Sequence, residues 1–299
     1  MLTRVEILRT LVLMLIDTHA HLDYADFSED LPDVIARARA QGVERILTIG
    51  TGLESSARAV ALAERWEEVF AVVGIHPSHV GDEEQNFLPR LRELAAHPRV
   101  VAIGETGLDY HHLPSMEDAE LPAMRVLGAQ TAAQTYGQIQ DGAYKVAQAD
   151  AFRMQLDLAI ELGLNVVIHQ RDAWTDTLEI LRPYTGRLRG VFHCFGGPLE
   201  MAEEVLALGH AISFTGIVTF KNAATVQQTA SRVPPGSFFV ETDCPYLAPT
   251  PHRGGRCEPA HTALIAEKIA SLRDMPVETL AAETTRAAEK FFRFPATSR

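Results

Sequence analysis

The sequence predicts an α/β fold, a (β/α)8 TIM barrel with a metal site at the C-terminal mouth of its strands. Three observations carry this. The chain has 299 residues, and such a barrel takes about 250 as a single domain. Short Val/Ile/Phe-rich runs alternate with amphipathic stretches from end to end. Polar residues able to hold a metal close several of the apolar runs. An open doubly wound sheet is the rival, but no GxGxxG follows an early strand and no P-loop is present.

The first strand is expected over Leu15–Leu22. Ahead of it, Val5 to Ile16 is apolar apart from Glu6, Arg9 and Thr10. That stretch is too short for a membrane span. It runs straight into Asp17-Thr18-His19 with no small-residue cleavage site behind it. Met14 sits just before this segment, so residues 1–14 are expected to be an extension, with the natural start at Met14. The further strands are Arg45–Gly50, Val69–His76, Val100–Glu105, Asn165–His169, Gly190–His193, Ala211–Thr215 and Phe238–Asp243. Each reads as a parallel strand buried on both faces. Helical stretches between them include Leu31–Ala40, Ser55–Trp66, Phe152–Leu162, Ala173–Leu181, Leu199–Leu208 and Thr262–Leu272. Gly42, Gly163 and Gly209 are placed to end helices. A single barrel domain is expected over 15–294. One stretch breaks the rhythm: Leu113 to Lys145 is rich in Ala, Gln and Gly, and within it Ala119–Ala133 has helical character. An excursion of that length at a strand's C-terminal end is expected to be more mobile than the barrel and to act as a lid.

Composition narrows the partners. With 46% hydrophobic and 22% charged residues the chain is that of an ordinary soluble enzyme. The net charge of −12 and the lack of a basic stripe argue against an extended, non-specific grip on phosphates. Any nucleic-acid chemistry then rests on local charge, such as bound metal ions. The three cysteines, Cys194, Cys244 and Cys257, show no CxxC spacing. They read as free thiols in a reducing, cytoplasmic compartment, with Cys194 and Cys244 acting as small buried hydrophobes. No membrane contact is expected, and a monomer is favoured.

The chemistry lies at the strand ends. His19 and His21 stand at i and i+2, so a strand turns both imidazoles to one face. Among twelve histidines, an HxH alone means little. Glu105, His169, His193 and Asp243 then close the fourth, fifth, sixth and eighth strands. Burying such groups unpaired is costly, and in a barrel these ends converge on one mouth. Four histidines and two carboxylates suit two divalent ions better than one. His76, Arg171, Lys221 and Arg253 lie in or just past strand ends and are candidates to hold phosphate or a leaving group.

These residues also carry a family resemblance. Asp17-Thr18-His19-Ala20-His21-Leu22-Asp23, Gly74-Ile75-His76-Pro77 and Gly104-Glu105-Thr106-Gly107-Leu108-Asp109-Tyr110 resemble successive motifs of the TatD family of metal-dependent deoxyribonucleases. His169 with Arg171-Asp172-Ala173, Phe192-His193-Cys194-Phe195-Gly196-Gly197, Glu241-Thr242-Asp243-Cys244-Pro245-Tyr246-Leu247-Ala248-Pro249 and His252-Arg253-Gly254 continue the series in family order. The resemblance implies a TIM barrel of the amidohydrolase superfamily that hydrolyses phosphodiesters. DNA is the usual substrate, and RNA is a further one. It implies that His19, His21, Glu105 and Asp243 hold one metal, and that Glu105, His169 and His193 hold a second, with Glu105 bridging. Mg²⁺ or Mn²⁺ would support activity, and Zn²⁺ suits the imidazoles. Asp243 would act as general base, and 3'-5' exonuclease action on single strands or ends is expected. Two departures stand out: the segment after Tyr110 is roughly thirty residues longer than usual, and Arg286 stands where the family often has Asn. Two other readings remain open at this level. One is a hydrolase of an amide, lactone or aminoacyl ester on the same scaffold; the other is a non-catalytic metal-binding protein.

Overall fold

A computed structural model describes residues 13–83, 86–114 and 129–295. All eight expected strands are present: β1 (Leu15–Ala20), β2 (Val43–Ile49), β3 (Val69–Val73), β4 (Val100–Asp109), β5 (Asn165–Arg171), β6 (Gly190–Phe192), β7 (Ala211–Phe214) and β8 (Phe238–Val240). They form one sheet whose order is that of the sequence, β1 through β8. The pairs β3–β4, β4–β5, β5–β6 and β7–β8 are parallel. At the end of β1, Ala20 pairs in parallel with Cys244, just past β8, so the last strand returns to the first. Parallel strands in consecutive order, with helices between them, make the (β/α)8 barrel.

The strands form where the sequence runs through Val, Ile, Leu and Phe. Every residue of β1, β3, β4 and β8 is buried, as expected for strands covered on both faces. The helices among the described residues are α1 (Leu31–Ala40), α2 (Leu53–Arg65), α3 (Leu88–Ala95), α4 (Ala129–Leu162), α5 (Trp174–Leu181), α6 (Leu199–Ala207), α7 (Ala224–Arg232), α8 (Thr262–Leu272) and α9 (Val277–Phe292). Gly42, Gly163 and Gly209 each have positive φ just past a helix, where a residue without Cβ ends the turn at no steric cost. Arg286 is exposed on α9.

The described residues group into two compact units. One draws on 13–47, 194–206 and 212–293; the other draws on 48–83, 86–114, 129–193, 207–211 and 294–295. In the first, the core includes Leu15, Phe27, Phe214, Phe238, Phe239 and Phe291. In the second, it includes Phe70, Val72, Phe152, Ile168 and Phe192.

Several expected boundaries move. β4 does not end at Glu105, nor β5 at His169. After a register shift between Ile103 and Thr106, the two strands pair again from Thr106 opposite Ile168 to Asp109 opposite Arg171. Gly107 permits this: its φ is +146°, and a Cβ there would meet the carbonyl oxygen of His169. Conversely β1, β3, β6 and β8 end early, so His21, His76, His193 and Asp243 stand on the turns that follow.

The excursion expected at Leu113–Lys145 is in part something else. Residues 115–128 lie outside the described residues, as do 1–12, and so does most of Ala119–Ala133. From Ala129 onward the chain is helical, and α4 runs 34 residues instead of beginning near Phe152. Its buried face carries Gln148 and Gln155, which removes the apolar periodicity by which a helix is read.

Candidate metal-binding groups

In the first unit, β1 delivers His19 and the turn after it His21; the turn after β8 delivers Asp243. His19 is fully buried and His21 nearly so. Their Nε2 atoms lie 3.7 and 3.5 Å from Asp243 Oδ1, and one ligand atom from each residue falls within 4.8 Å of the others. Donors about 2.1 Å from a tetrahedral ion sit roughly 3.4 Å apart, so this spacing fits a divalent cation.

The neighbouring residues explain why these three side chains stand there. Asp243 N donates to His19 O at 2.8 Å, and His21 N donates to Cys244 O at 2.8 Å. Asp17 accepts from Thr242 N at 2.9 Å and from Thr242 Oγ1 at 2.6 Å. Thr18 Oγ1 donates to Glu241 Oε2 at 3.1 Å, while Glu241 Oε1 accepts from Cys194 N at 2.7 Å. Burial pushes the Asp17 carboxyl up to about 7, against the lowering effect of the Thr242 hydrogen bonds. Asp243 itself has φ +59°, a left-handed conformation that aspartate tolerates better than most residues.

In the second unit, Glu105 on β4 is the focus. Its Oε1 lies 2.6 Å from His193 Nε2, 2.8 Å from His169 Nδ1 and 3.5 Å from His76 Nε2. His76, Glu105 and His169 also meet the spacing for a shared ion. His76 Nε2 and His169 Nδ1 are 3.2 Å apart, as are His169 Nδ1 and His193 Nε2. Burial pushes His76 down to about 4, partly offset by Glu105. Burial acts the same way on His169, but hydrogen bonds to Asp109 and Glu105 outweigh it and hold that imidazole up at about 9.

Asp109 is the residue that sequence reasoning passed over. Its Oδ2 meets His169 Nε2 at 3.2 Å and His112 Nδ1 at 2.8 Å, and its Oδ1 accepts from the amides of His111 and His112. Burial raises the Asp109 carboxyl, but the bonds to His169 and His112 outweigh it and hold it well below its usual range. A carboxylate on the far nitrogen fixes a ligand imidazole's tautomer and orientation. The signal was present: Glu105, Gly107 and Asp109 alternate along one strand, but a Gly-rich run does not read as a strand.

Helix α4 braces the same strands. Gln148 accepts from Asp109 N at 3.0 Å and donates to Asp109 O at 3.0 Å. One heptad later, Gln155 accepts from Ile75 N at 2.8 Å and donates to Ile75 O at 3.0 Å and Thr106 Oγ1 at 2.7 Å. Each glutamine substitutes for a strand partner beside a site residue, Asp109 in one case and the neighbour of His76 in the other.

Of the substrate candidates, His76 joins Glu105 and His169. Arg171, Lys221 and Arg253 are exposed, and Arg253 lies over the Phe220 ring at 4.3 Å. None of these three is brought onto the ligands of its own unit. Cys244 and Cys257 are fully buried, but Cys194 is only partly so, with φ +49°, against the expected buried hydrophobe. All three are free thiols. No helix among the described residues is long and apolar enough to cross a membrane.

Comparison with known proteins finds relatives over nearly the whole chain. The family model for TatD related DNase matches residues 16–293. An uncharacterized metal-dependent hydrolase, YabD of Bacillus subtilis, is 38% identical over 281 residues, 94% of this chain and 99% of the relative. The 3'-5' ssDNA/RNA exonuclease TatD of Cronobacter sakazakii is 33% identical, over 92% of this chain and 97% of its own. The crystal structure of YJJV, a TatD homolog from Escherichia coli, superposes with a TM-score of 0.80 at 27% identity, covering 95% of this chain and all of the other. The chain belongs to the TatD family of metal-dependent hydrolases.

Proposed function

We propose that this protein is a deoxyribonuclease, a metal-dependent phosphodiesterase that removes nucleotides in the 3'-5' direction from single strands or ends. The observation that carries the reading is the pair of imidazole–carboxylate groups, His19–His21–Asp243 and His76–Glu105–His169, each with its donor atoms within 4.8 Å of one another. The likeness to a 3'-5' ssDNA/RNA exonuclease supports it. His19, His21 and Asp243 would hold one divalent ion; Glu105, His169 and His193 would hold a second, Mg²⁺ or Mn²⁺ for activity, with Zn²⁺ also suited to the donors. When bound, such ions would supply Lewis acidity toward a phosphoryl oxygen and lower the pKa of bound water.

The chain's own residues do the remaining work. Asp243 is the carboxylate of its group and accepts the proton of the attacking water as general base. Asp109 orients His169, and the Asp17–Thr242 bonds keep Asp243 in register with His19. His76, neutral at pH 7, faces the phosphate as a hydrogen-bond donor. Arg171, Lys221 and Arg253 are the cations available to more distant phosphates. The test is digestion of 5'- and 3'-end-labelled single-stranded and duplex DNA, and of RNA, with Mg²⁺, Mn²⁺ and Zn²⁺ in turn. Stepwise shortening from the 3' end of single strands is expected. Hydrolysis of lactones or esters, with intact DNA under every metal, would refute the reading.

A further inference from the structure

Two tyrosines share one local geometry in the first unit. Tyr24 N donates to His21 O at 3.2 Å, and Tyr246 N donates to Asp243 O at 3.0 Å. Each tyrosine therefore stands three residues after a metal-ligand candidate, at the far end of a turn closed on that ligand's own carbonyl. The two turns are joined, because His21 N donates to Cys244 O. The second is pinned again where Cys257 N donates to Pro245 O at 2.9 Å. The rings are thereby fixed relative to the ligands.

The rings also meet. Tyr24 stacks on His21 with centroids 4.7 Å apart and planes 18° from parallel. Tyr246 meets Tyr24 edge-on at 6.3 Å and 78°, and His21 at 6.4 Å and 68°. These are favourable aromatic geometries. Yet Tyr246 remains 54% exposed, one of three large hydrophobic side chains so exposed among the described residues. No described residue hydrogen-bonds its hydroxyl. A tyrosine kept only for packing would bury its ring, and one kept for its hydroxyl would give it a partner.

We infer that Tyr246, backed by Tyr24, is a stacking subsite for a nucleobase of a single-stranded substrate, next to the phosphodiester at the His21–Asp243 group. The inference rests on the proposed nuclease activity and adds where the base goes. It also answers a problem set by charge. At −12 the chain cannot hold a polyanion by a general phosphate grip, whereas an aromatic face binds any base regardless of sequence. A base paired and stacked in a duplex does not offer its face, so the subsite selects unpaired ends.

The test uses the full chain with Mn²⁺ and two oligodeoxynucleotides, oligo-dT and the same length with abasic residues at its 3' end. Tyr246→Ala should raise KM for oligo-dT about tenfold and leave kcat within about threefold. Tyr246→Phe should restore the wild-type KM, because the ring acts and the hydroxyl does not. The abasic oligonucleotide should cost the wild type a similar factor and cost Tyr246→Ala nothing more. As a readout independent of turnover, a 5-iododeoxyuridine oligonucleotide should photo-cross-link to the Tyr246 peptide. Equal KM for wild type and Tyr246→Ala, with both folded by circular dichroism, would overturn the subsite while leaving the nuclease reading intact. Failure of the wild type to cleave or cross-link any oligonucleotide would overturn both.

Discussion

The two candidate ligand groups are built differently. Around β1 and β8 the donor atoms stand 3.5 and 3.7 Å apart, the spacing of ligands around an ion. Around β4, β5 and β6 the imidazoles are drawn to 2.6 and 2.8 Å from one carboxylate oxygen, the spacing of charge-assisted hydrogen bonds. The first group is held open by its surroundings, through backbone bonds at the strand ends and the buried Asp17–Thr242 pair. The second satisfies itself, and its His169 is held protonated by Asp109 and Glu105. On the proposed reading, an ion would enter the first group with little rearrangement, and in the second it would have to displace a proton and open a hydrogen-bonded cluster. The lesson is that residue identity makes a ligand set, while the packing behind it decides how ready that set is.

The largest effects are expected at the carboxylate of each group. Asp243→Asn keeps the shape but removes the base and a negative ligand, so cleavage of labelled DNA should fall about 10²–10⁴-fold with little change in melting temperature. A near-normal rate would mean that the water is activated elsewhere. Glu105→Ala should abolish turnover at saturating metal, because it removes the one carboxylate of the other group.

At the self-satisfied group the sensitive point is the residue behind the ligand. Asp109→Ala should weaken metal binding there about 10–100-fold, read by calorimetric titration, while the affinity of the open group is unchanged. If both affinities fall together, the distinction between the groups fails. Gln155→Ala probes the brace one step further out. It strands the buried Ile75 N–H and C=O and the Thr106 hydroxyl, so chemical denaturation should show a loss of about 1–3 kcal/mol.

The smallest effect is a control at the opposite ends of the strands. His210 is buried and its Nδ1 accepts from Gly190 N at 2.9 Å. Burial, assisted by Arg189, lowers it from 6.5 to about 4. Between those values the unfolded chain takes up a proton that the fold refuses. The His210 contribution to stability should therefore drop by roughly 1 kcal/mol per pH unit as pH falls from 6.5 toward 4. Replacing His210 with Gln should remove that contribution from the profile without altering metal affinity.

Much of this was legible in the sequence. The Val/Ile/Phe runs mark all eight strands because parallel strands buried on both faces admit little else. The six ligand candidates stand out because each is a polar group at the end of such a run. The ends of β4 and β5 were not legible. Thr106, Gly107 and Asp109 carry no apolar pattern, and what extends the strand is the close backbone approach that Gly107 allows. The first half of α4 was hidden for a related reason, since Gln148 and Gln155 face inward to bond a strand and leave the stretch reading as a polar loop. Asp109 went unassigned because its role depends on that unseen extension. The partition into two units leaves no mark in composition or periodicity.

The central claim, that each group holds its own ion, is tested most directly by titrating Mn²⁺ into the protein calorimetrically, with His21→Ala and His193→Ala alongside. The account predicts two ions per chain for the wild type and one for each variant, with the tighter ion lost in His21→Ala. A single ion in the wild type, or a variant that still binds two, would contradict it.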